Sequence, residues 1–463
     1  MVAGVFDFSE QNLGINTLAL SSSDQFIGNS NSELSVDASG MVVLPPLDIY
    51  RLDVSGYGCQ VSDPTSVQDL YLYGTLDLGE GASLTVEQTL SGGYGGQLNG
   101  ANGSNLYYNG SNAQPTTVPR ILAGNVFFNR DGTTNIYGLW QIRNSLHLIQ
   151  GTLNIPADTF LNFFANAAIY RSNGYLDNSG FVVCDGTIDI IYETGLTTGD
   201  EIPADTAVLN DLSIPADQVI TADRDIHLNG SLNLGQGSTL ELEDHTLYLS
   251  DSAAVICGAD AWIFGRAEQN IGATGFHVPA LGLVIEPGPE VSGFAVTHAA
   301  ASQTLPCGSS INRSWQLEGT FSGSQDLTLI WASSADNALD FSTAEALVLV
   351  QPEALWTPVC PTADVSLLDP RQLSVTTEHF SDWTVSTADL LTISVQGLSI
   401  NQNHDTGQTE LTWTHIFGVD HFKVYRSSCP EGPFDTLAGT SETTSFAEAQ
   451  YGDRVFYRVR AEY

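Results

Sequence analysis

The sequence predicts an all-β chain: a parallel β-helix, or solenoid, over residues 1–280, followed by two smaller strand-rich modules over 281–388 and 389–463. Three observations carry that expectation. A strand-turn-strand phrase recurs along the first half. Turn-forming residues are abundant, with 44 glycines and only two methionines in 463 residues. No apolar run with helical periodicity extends beyond about three turns.

The recurrence comes first. GTLDLGEGASLTVE from Gly74 aligns without gaps to GSLNLGQGSTLELE from Gly230, and GTLNIPADTFLNF from Gly151 and GTIDI from Gly186 share its opening. Aliphatics fall at alternate positions, the period of a strand with one buried face. Leu76, Leu78, Leu84 and Val86 are therefore expected to point inward, as are Leu232, Leu234, Leu240 and Leu242. Upstream, Leu70 and Leu72, Leu146 and Leu148, and Ile226 and Leu228 precede the glycines in the same way. Further back lie Leu52 and Val54, Val126 and Phe128, and Leu212 and Ile214. Ile-Pro-Ala-Asp occurs at Ile155, Ile202 and Ile214 and reads as a corner, because proline fixes φ and Asp tolerates turn geometry. Short strands with a repeat of about 20–25 residues suit stacked coils, since one coil cannot bury its apolar face alone. The Gly- and Asn-rich stretch from Gly92 to Asn112 reads instead as an insertion between coils, or a surface loop presenting Tyr94, Tyr107 and Tyr108.

Composition excludes several functions. Fourteen basic residues face 53 acidic ones, giving a net charge of −39, and Lys423 is the single lysine. Charged residues are only 14% of the chain, so the acidity reflects missing bases. Such a chain cannot neutralise a row of phosphates, which argues against nucleic acid, and it offers no polybasic patch for anionic lipid. No apolar run is long enough to span a membrane, so no membrane insertion is expected. Screening of self-repulsion in salt suits an extracellular setting. The N-terminus MVAGVFDFSE does not read as a signal peptide, so that location requires a leader already removed.

The six cysteines, Cys59, Cys184, Cys257, Cys307, Cys360 and Cys429, include no C-x-x-C pair. The first three are expected as small buried hydrophobes. Cys307 and Cys360 flank one segment and are a candidate disulfide. No G-x-S-x-G, H-E-x-x-H or P-loop motif is present. His147 and His227 fall at outward positions of solenoid strands and are expected to be solvated. Asp77, Glu80 and Glu87 on one repeat, with Asp225, Glu241, Glu243 and Asp244 on another, form acidic ladders. They read as a solvated face, with a Ca²⁺ site as the sharper alternative. No catalytic residue and no cofactor are expected.

Family resemblances enter on particular phrases. NLYYNGSNAQ from Asn105, NVFFNRDGTTNIYG from Asn125 and LHLIQGTLNIPADTFL from Leu146 resemble the β-helical repeats of large secreted bacterial surface proteins, common among those exported by type IX secretion. That resemblance covers roughly residues 40–265 and implies fold and location more than activity. INRSWQL (Ile311–Leu317), DLTLIW (Asp326–Trp331), EALVLVQ (Glu345–Gln351), LWTPV and HFSDWTV (His379–Val385) resemble the β-sandwich that often follows such helices. Trp315, Trp331, Trp356 and Trp383 are expected to fill its core. ELTWTH (Glu410–His415), FKVYRS (Phe422–Ser427), TSFAEA (Thr444–Ala449) and VFYRVRAEY (Val455–Tyr463) resemble a fibronectin type III domain, with Trp413 and Tyr457 as core aromatics. The family implies one further strand after Tyr463. Without it an edge stays open, and the apolar VAGVFDF segment is a candidate donor strand.

β-Helices also host polysaccharide lyases and hydrolases, but the one lysine lies in the last module and no Asp-Asp pair occurs. The expected function is therefore a non-catalytic extracellular structural or adhesive surface protein: a stalk, filament subunit or adhesion module. Its partners would be other copies of itself or cell-surface and matrix components. Carbohydrate binding or polysaccharide processing is the alternative, with glycans as partners.

Overall fold

The structure is a computed structural model. It describes residues 5–7, 12–15, 25–27, 29, 31–38, 41–56, 58–61, 64–110, 120–270, 275–288, 290–305, 308–342, 346–351, 356–358, 365–387, 397–403, 407–414, 421–428, 434, 436–449 and 455–462. The chain is nearly all β, with a solenoid of about 11 turns followed by further sheets. It divides into two compact units, residues 1–263 and 264–463.

In the first unit successive coils pair in parallel, and each coil sets its aliphatics on those of the coil before. One interior column runs Leu84, Leu106, Val126, Leu146, Ile169, Ile190, Leu212, Leu232 and Val255 in direct register. All but the last are fully buried. A second column runs Leu34, Leu52, Leu70 and Leu90, again fully buried. The alternation expected from sequence is the observed one: Leu76, Leu84, Val86, Leu232, Leu240 and Leu242 are at 0% exposure. Each such aliphatic contributes about 1.5–3 kcal/mol on burial, but only because a neighbouring coil covers it.

The corners explain the Gly-x-Gly phrases and the Ile155 and Ile214 copies of Ile-Pro-Ala-Asp as one device, whereas Asp205 in the Ile202 copy is not left-handed. Backbone hydrogen bonds close four-residue turns at Gly79–Ala82, Ala101–Ser104, Pro156–Thr159, Phe164–Ala167, Gly235–Ser238 and Gly258–Ala261, with N···O of 3.1–3.4 Å. The third residue of each is left-handed: Gly81, Gly103, Asp158, Asn166, Gly237 and Asp260, with φ between 55° and 78°. Asp217, in the Ile214 copy, has φ 59°. Gly, Asn and Asp are the residues that accept this conformation. The fourth residue is small or β-branched and buried, as at Ala82, Ser104, Thr159 and Ala167.

Gly92–Asn112 differs from its expectation. Gln97–Gly100 and Asn105–Gly110 are solenoid strands, paired in register with the coils on both sides. Leu98, Leu106 and Tyr108 are fully buried, while Tyr94 is fully exposed. Gly95 and Gly103 lie in its turns, and Asn99 and Asn105 on the outer face, of an ordinary coil. Within the N-terminal VAGVFDF segment, Val5–Asp7 pairs in parallel with Gln25–Ile27.

Ala254–Cys257 pairs in parallel with Ser231–Leu234, and Trp262–Glu268 is antiparallel to Ser292–Ala299. In the second unit, Ser292–Ala299, Ser314–Thr320, Asp382–Thr387 and Ala346–Gln351 form successive antiparallel strands. A second sheet joins Phe276–Val278, Leu283–Ile285, Gln325–Trp331 and Arg371–Thr377. Trp315 and Trp383 are cross-strand partners, so the strands with the Arg-x-Trp and Phe-Ser-x-Trp phrases lie side by side. The indole N–H of Trp315 donates to the Leu281 carbonyl at 3.0 Å. Trp315, Trp331 and Trp383 are buried as expected, whereas Trp356 is only half-buried. Beyond lie two three-stranded antiparallel sheets, Ser399–Asn403 with Gln408–Thr412 and Ser445–Ala449, and Thr436–Ser441 with His421–Ser427 and Phe456–Glu462. Leu411, Trp413, Phe422, Val424 and Val459 fill their core, with Tyr457 packed against it.

Two substitutions test this reading by chemical denaturation. Leu146→Ala, in the middle of the longest column, is expected to lower unfolding free energy by about 2–5 kcal/mol. At the corner, Gly81→Ala meets no neighbour within 4 Å, so only its φ of 72° opposes a side chain. A loss of about 1 kcal/mol is expected there, with Gly81→Asn losing less.

Candidate functional site

The outward face of the solenoid is built from the residues between the inward aliphatics. Register carries like side chains into columns about 4.8 Å apart, the strand spacing of a sheet. Tyr107, Phe127, His147 and Tyr170 occupy one column. Their rings stack face to face at 4.4, 4.3 and 4.4 Å, with interplanar angles of 13°, 15° and 5°. His227 and Tyr248 form a like pair at 4.4 Å. Both histidines face outward as expected, but each has a ring face covered by a neighbour, which the alternation could not reveal. Aromatic residues at the same offset in successive repeats were the available signal.

Beside that stack runs an amide and hydroxyl column. Asn125 Nδ2 donates to Asn105 Oδ1 at 2.9 Å, Ser145 Oγ donates to Asn125 Oδ1 at 2.8 Å, and Ser145 Oγ lies 3.0 Å from His147 Nε2. Other outward groups pair the same way: Asn99 with Asp77 at 3.2 Å, Asn154 with Asn135 at 2.6 Å, and Asn210 with Asp189 at 3.0 Å. Their partners are 19–22 residues away, one coil along. The polar surface is thus cross-linked along the ladder instead of converging on a point.

The acidic ladders behave likewise. Asp77 accepts from Asn99, and Glu80 is exposed. Asp225 accepts the Thr246 N–H at 2.8 Å, Thr221 Oγ1 donates to Glu241 at 3.4 Å, and Glu243 and Asp244 are exposed. The two groups lie in coils far apart along the ladder. Among the described residues no cluster of three or more His, Cys, Asp and Glu is placed to hold a metal ion. Cys59 is buried and Cys184 and Cys257 are half-buried, all as free thiols. Burial pushes Cys59 up to about 12 and Cys184 to about 11, so both are protonated near neutral pH. Cys307, Cys360 and Cys429 lie outside the described residues, as does His415.

One group of side chains was not foreseen. Arg171 occupies the interior column that elsewhere holds Val67, Val86, Tyr108, Phe128 and Leu148. It and Glu201 are wholly buried and form an ion pair through Nη1 and Oε1. Tyr192, next in the column, donates to Glu201 at 2.9 Å, the Gly199 N–H donates at 3.0 Å, and Arg171 Nε donates to the Gly174 carbonyl at 3.0 Å. Desolvation, then the Glu201 charge, holds the Tyr192 phenol well above its ordinary range. The sequence signal was an arginine at an inward position of the alternation Ala167, Ile169, Arg171. With both charges at 0% exposure, this is an internal brace with no route to a solute.

A scan against protein-family models finds no match, and neither the curated proteins nor the solved structures contain one. The class defined by the geometry is therefore the parallel β-solenoid with appended antiparallel sheets.

Breaking the buried pair by Glu201→Gln strands Arg171 and is expected to cost about 3–5 kcal/mol in denaturant unfolding, whereas the apolar double replacement Arg171→Met with Glu201→Leu recovers most of that loss. The stacked histidine generates a pH dependence. Burial lowers the His147 pKa below 6.5, opposed by Glu193. The unfolded chain then binds more protons, so this contribution is full above pH 6.5 and is lost as pH falls toward the folded value. His147→Phe is expected to flatten that part of the stability profile, read as melting temperature from pH 7 downward.

Proposed function

We propose that this chain is an extracellular structural or adhesive surface protein without chemistry of its own, a stalk, filament subunit or adhesion module. The observation that carries the reading is the longitudinal cross-linking of the outer face. Amides, hydroxyls and aromatic rings that an active site would converge on a substrate are here engaged from coil to coil. Such an arrangement stiffens a stack of repeats and resists fraying. The lone lysine adds to it, since Lys423 lies in the last sheets and leaves the solenoid without an amine for lyase chemistry.

The likeness to type IX-secreted surface proteins and to a fibronectin type III domain belongs to this reading. Two three-stranded sheets around Trp413 and Tyr457 support the second likeness. The extracellular location is supported by an acidic composition suited to salt.

Carbohydrate binding is the second reading, favoured by one feature. Phe160 and Phe181 stack at 4.9 Å on the outer face and are 43% and 50% exposed, with Tyr175 at 46%. Exposed rings of this kind pack against sugar C–H faces.

The test is incubation of the full chain with a panel of neutral and acidic polysaccharides, followed by assays for new reducing ends and unsaturated uronates. No turnover is expected, and sustained turnover abolished by a single outward substitution contradicts the proposal. On a glycan array, retention lost in Phe160→Ala with Phe181→Ala would favour the second reading.

A further inference from the structure

In the coils that lead up to residue 184, three strands per coil find partners in the next coil. Ser145–Leu148 pairs with Ala168–Arg171, Thr152–Ile155 with Tyr175–Asn178, and Phe160–Phe163 with Phe181–Cys184. The coil after residue 184 breaks this pattern. Ile188–Tyr192 still pairs backward, with Ala167–Arg171. Leu196–Thr197 pairs only forward, with Ile220–Thr221, and residues 198–208 form no strand. Among the described residues, Tyr175–Asn178 and Phe181–Cys184 therefore keep a strand partner on one side only, as does Ile226–Leu228 on the far side of the gap.

Burial follows the pairing. Leu161 and Phe163 are at 0% exposure, whereas their successors in register, Val182 and Cys184, are half-buried. The face that does continue is weakened too, since Ile188–Tyr192 meets Leu209–Ile214 with a register shift between Ile188 and Ile190. The cause in the sequence is the Ile202 copy of Ile-Pro-Ala-Asp. Pro203 has no N–H to give a ladder, Asp205 does not adopt the left-handed corner conformation, and the charged Glu201 takes a buried position.

Side chains replace the ladder across this interface. Asp200 Oδ2 accepts the Asn178 N–H at 2.7 Å, Thr194 Oγ1 donates to the Ser172 carbonyl at 3.0 Å, and Ser172 Oγ donates to Glu193. Arg171 and Glu201 span the same interface through their buried ion pair. Stacked repeats hold together through contacts between neighbours, so the poorest contact sets where the stack parts. Here two of three backbone ladders are exchanged for a few side-chain bonds, and a buried ion pair returns little beyond its own desolvation. We infer that this interface is a joint. The solenoid opens here as two blocks, residues 12–184 and 188–263, hinged on the pairing of Ala167–Arg171 with Ile188–Tyr192 and latched by Arg171 and Glu201. The joint follows from the ladder and goes beyond the proposed role, holding for a structural or a glycan-binding protein alike. In a stalk it is the point that yields first under load.

Cys184 lies on the uncovered strand and reports opening, while Cys59 in the first block and Cys257 in the second serve as references. Alkylation of the full native chain by N-ethylmaleimide, resolved by peptide mass spectrometry, gives a rate for each thiol. Glu201→Gln is expected to raise the Cys184 rate about tenfold or more, with Cys59 and Cys257 within about twofold of wild type. Arg171→Met with Glu201→Leu is expected to bring the Cys184 rate back near wild type, because the latch is then apolar and packed. Asp200→Ala, at a half-buried position, is milder and is expected to raise the rate about threefold, so opening can be read even where Glu201→Gln fails to fold. A Cys184 rate indifferent to these substitutions overturns the inference. So does acceleration of all three thiols together, the behaviour of a solenoid that opens as one body.

Discussion

Register between neighbouring coils is the constraint on which everything else in the first unit depends. A strand such as Leu146–Leu148 has one apolar face and nothing within its own coil to cover it. Only the matching aliphatics of the coils before and after, Val126 and Phe128 on one side and Ile169 on the other, remove it from water. A shift of one residue would turn every inward leucine to solvent. The left-handed corner residues, Gly81, Asp158, Asn166 and their equivalents, act on that constraint by fixing where each strand begins. The outer columns follow from it too, since side chains can stack or hydrogen-bond at one-coil intervals only once the inner columns are aligned.

Much of this was legible in the sequence because alternation is a local property. The period-two leucines, the Gly-Thr-Leu openings and the Ile-Pro-Ala-Asp corners each lie within a few residues. What escaped reading depended on distance. Gly92–Asn112 read as an insertion because glycine and asparagine signal turns. Whether Leu98, Leu106 and Tyr108 have coils to lie against is decided by residues some 20 positions away. Arg171 and Glu201 are 30 residues apart, and neither neighbourhood announces the other. The stacked rings were split between repeats in the same manner, so His147 read as a solvated histidine. The tryptophans of the sandwich were clearer, since a large apolar side chain on a short strand has few places to go.

The absence of a convergent site among the described residues is a consequence of the same architecture. In a ladder, the nearest neighbour of an outward group is its equivalent one coil away. Asn105, Asn125 and Ser145 accordingly satisfy one another, and Asp77 satisfies Asn99. The acidic composition adds a second effect. With few bases available, Arg51, Arg171, Arg224, Arg266, Arg371 and Arg426 are each held by a carboxylate close by.

Native-state hydrogen exchange tests the dependence on coil register most directly. The account expects the amides of the central coils, around Val126, Leu146 and Ile169, to exchange slowest and as a block, with protection falling toward Leu34 and Val255 as end coils lose a neighbour. Central amides exchanging as fast as those of the end coils, or each coil opening independently of the next, would contradict it.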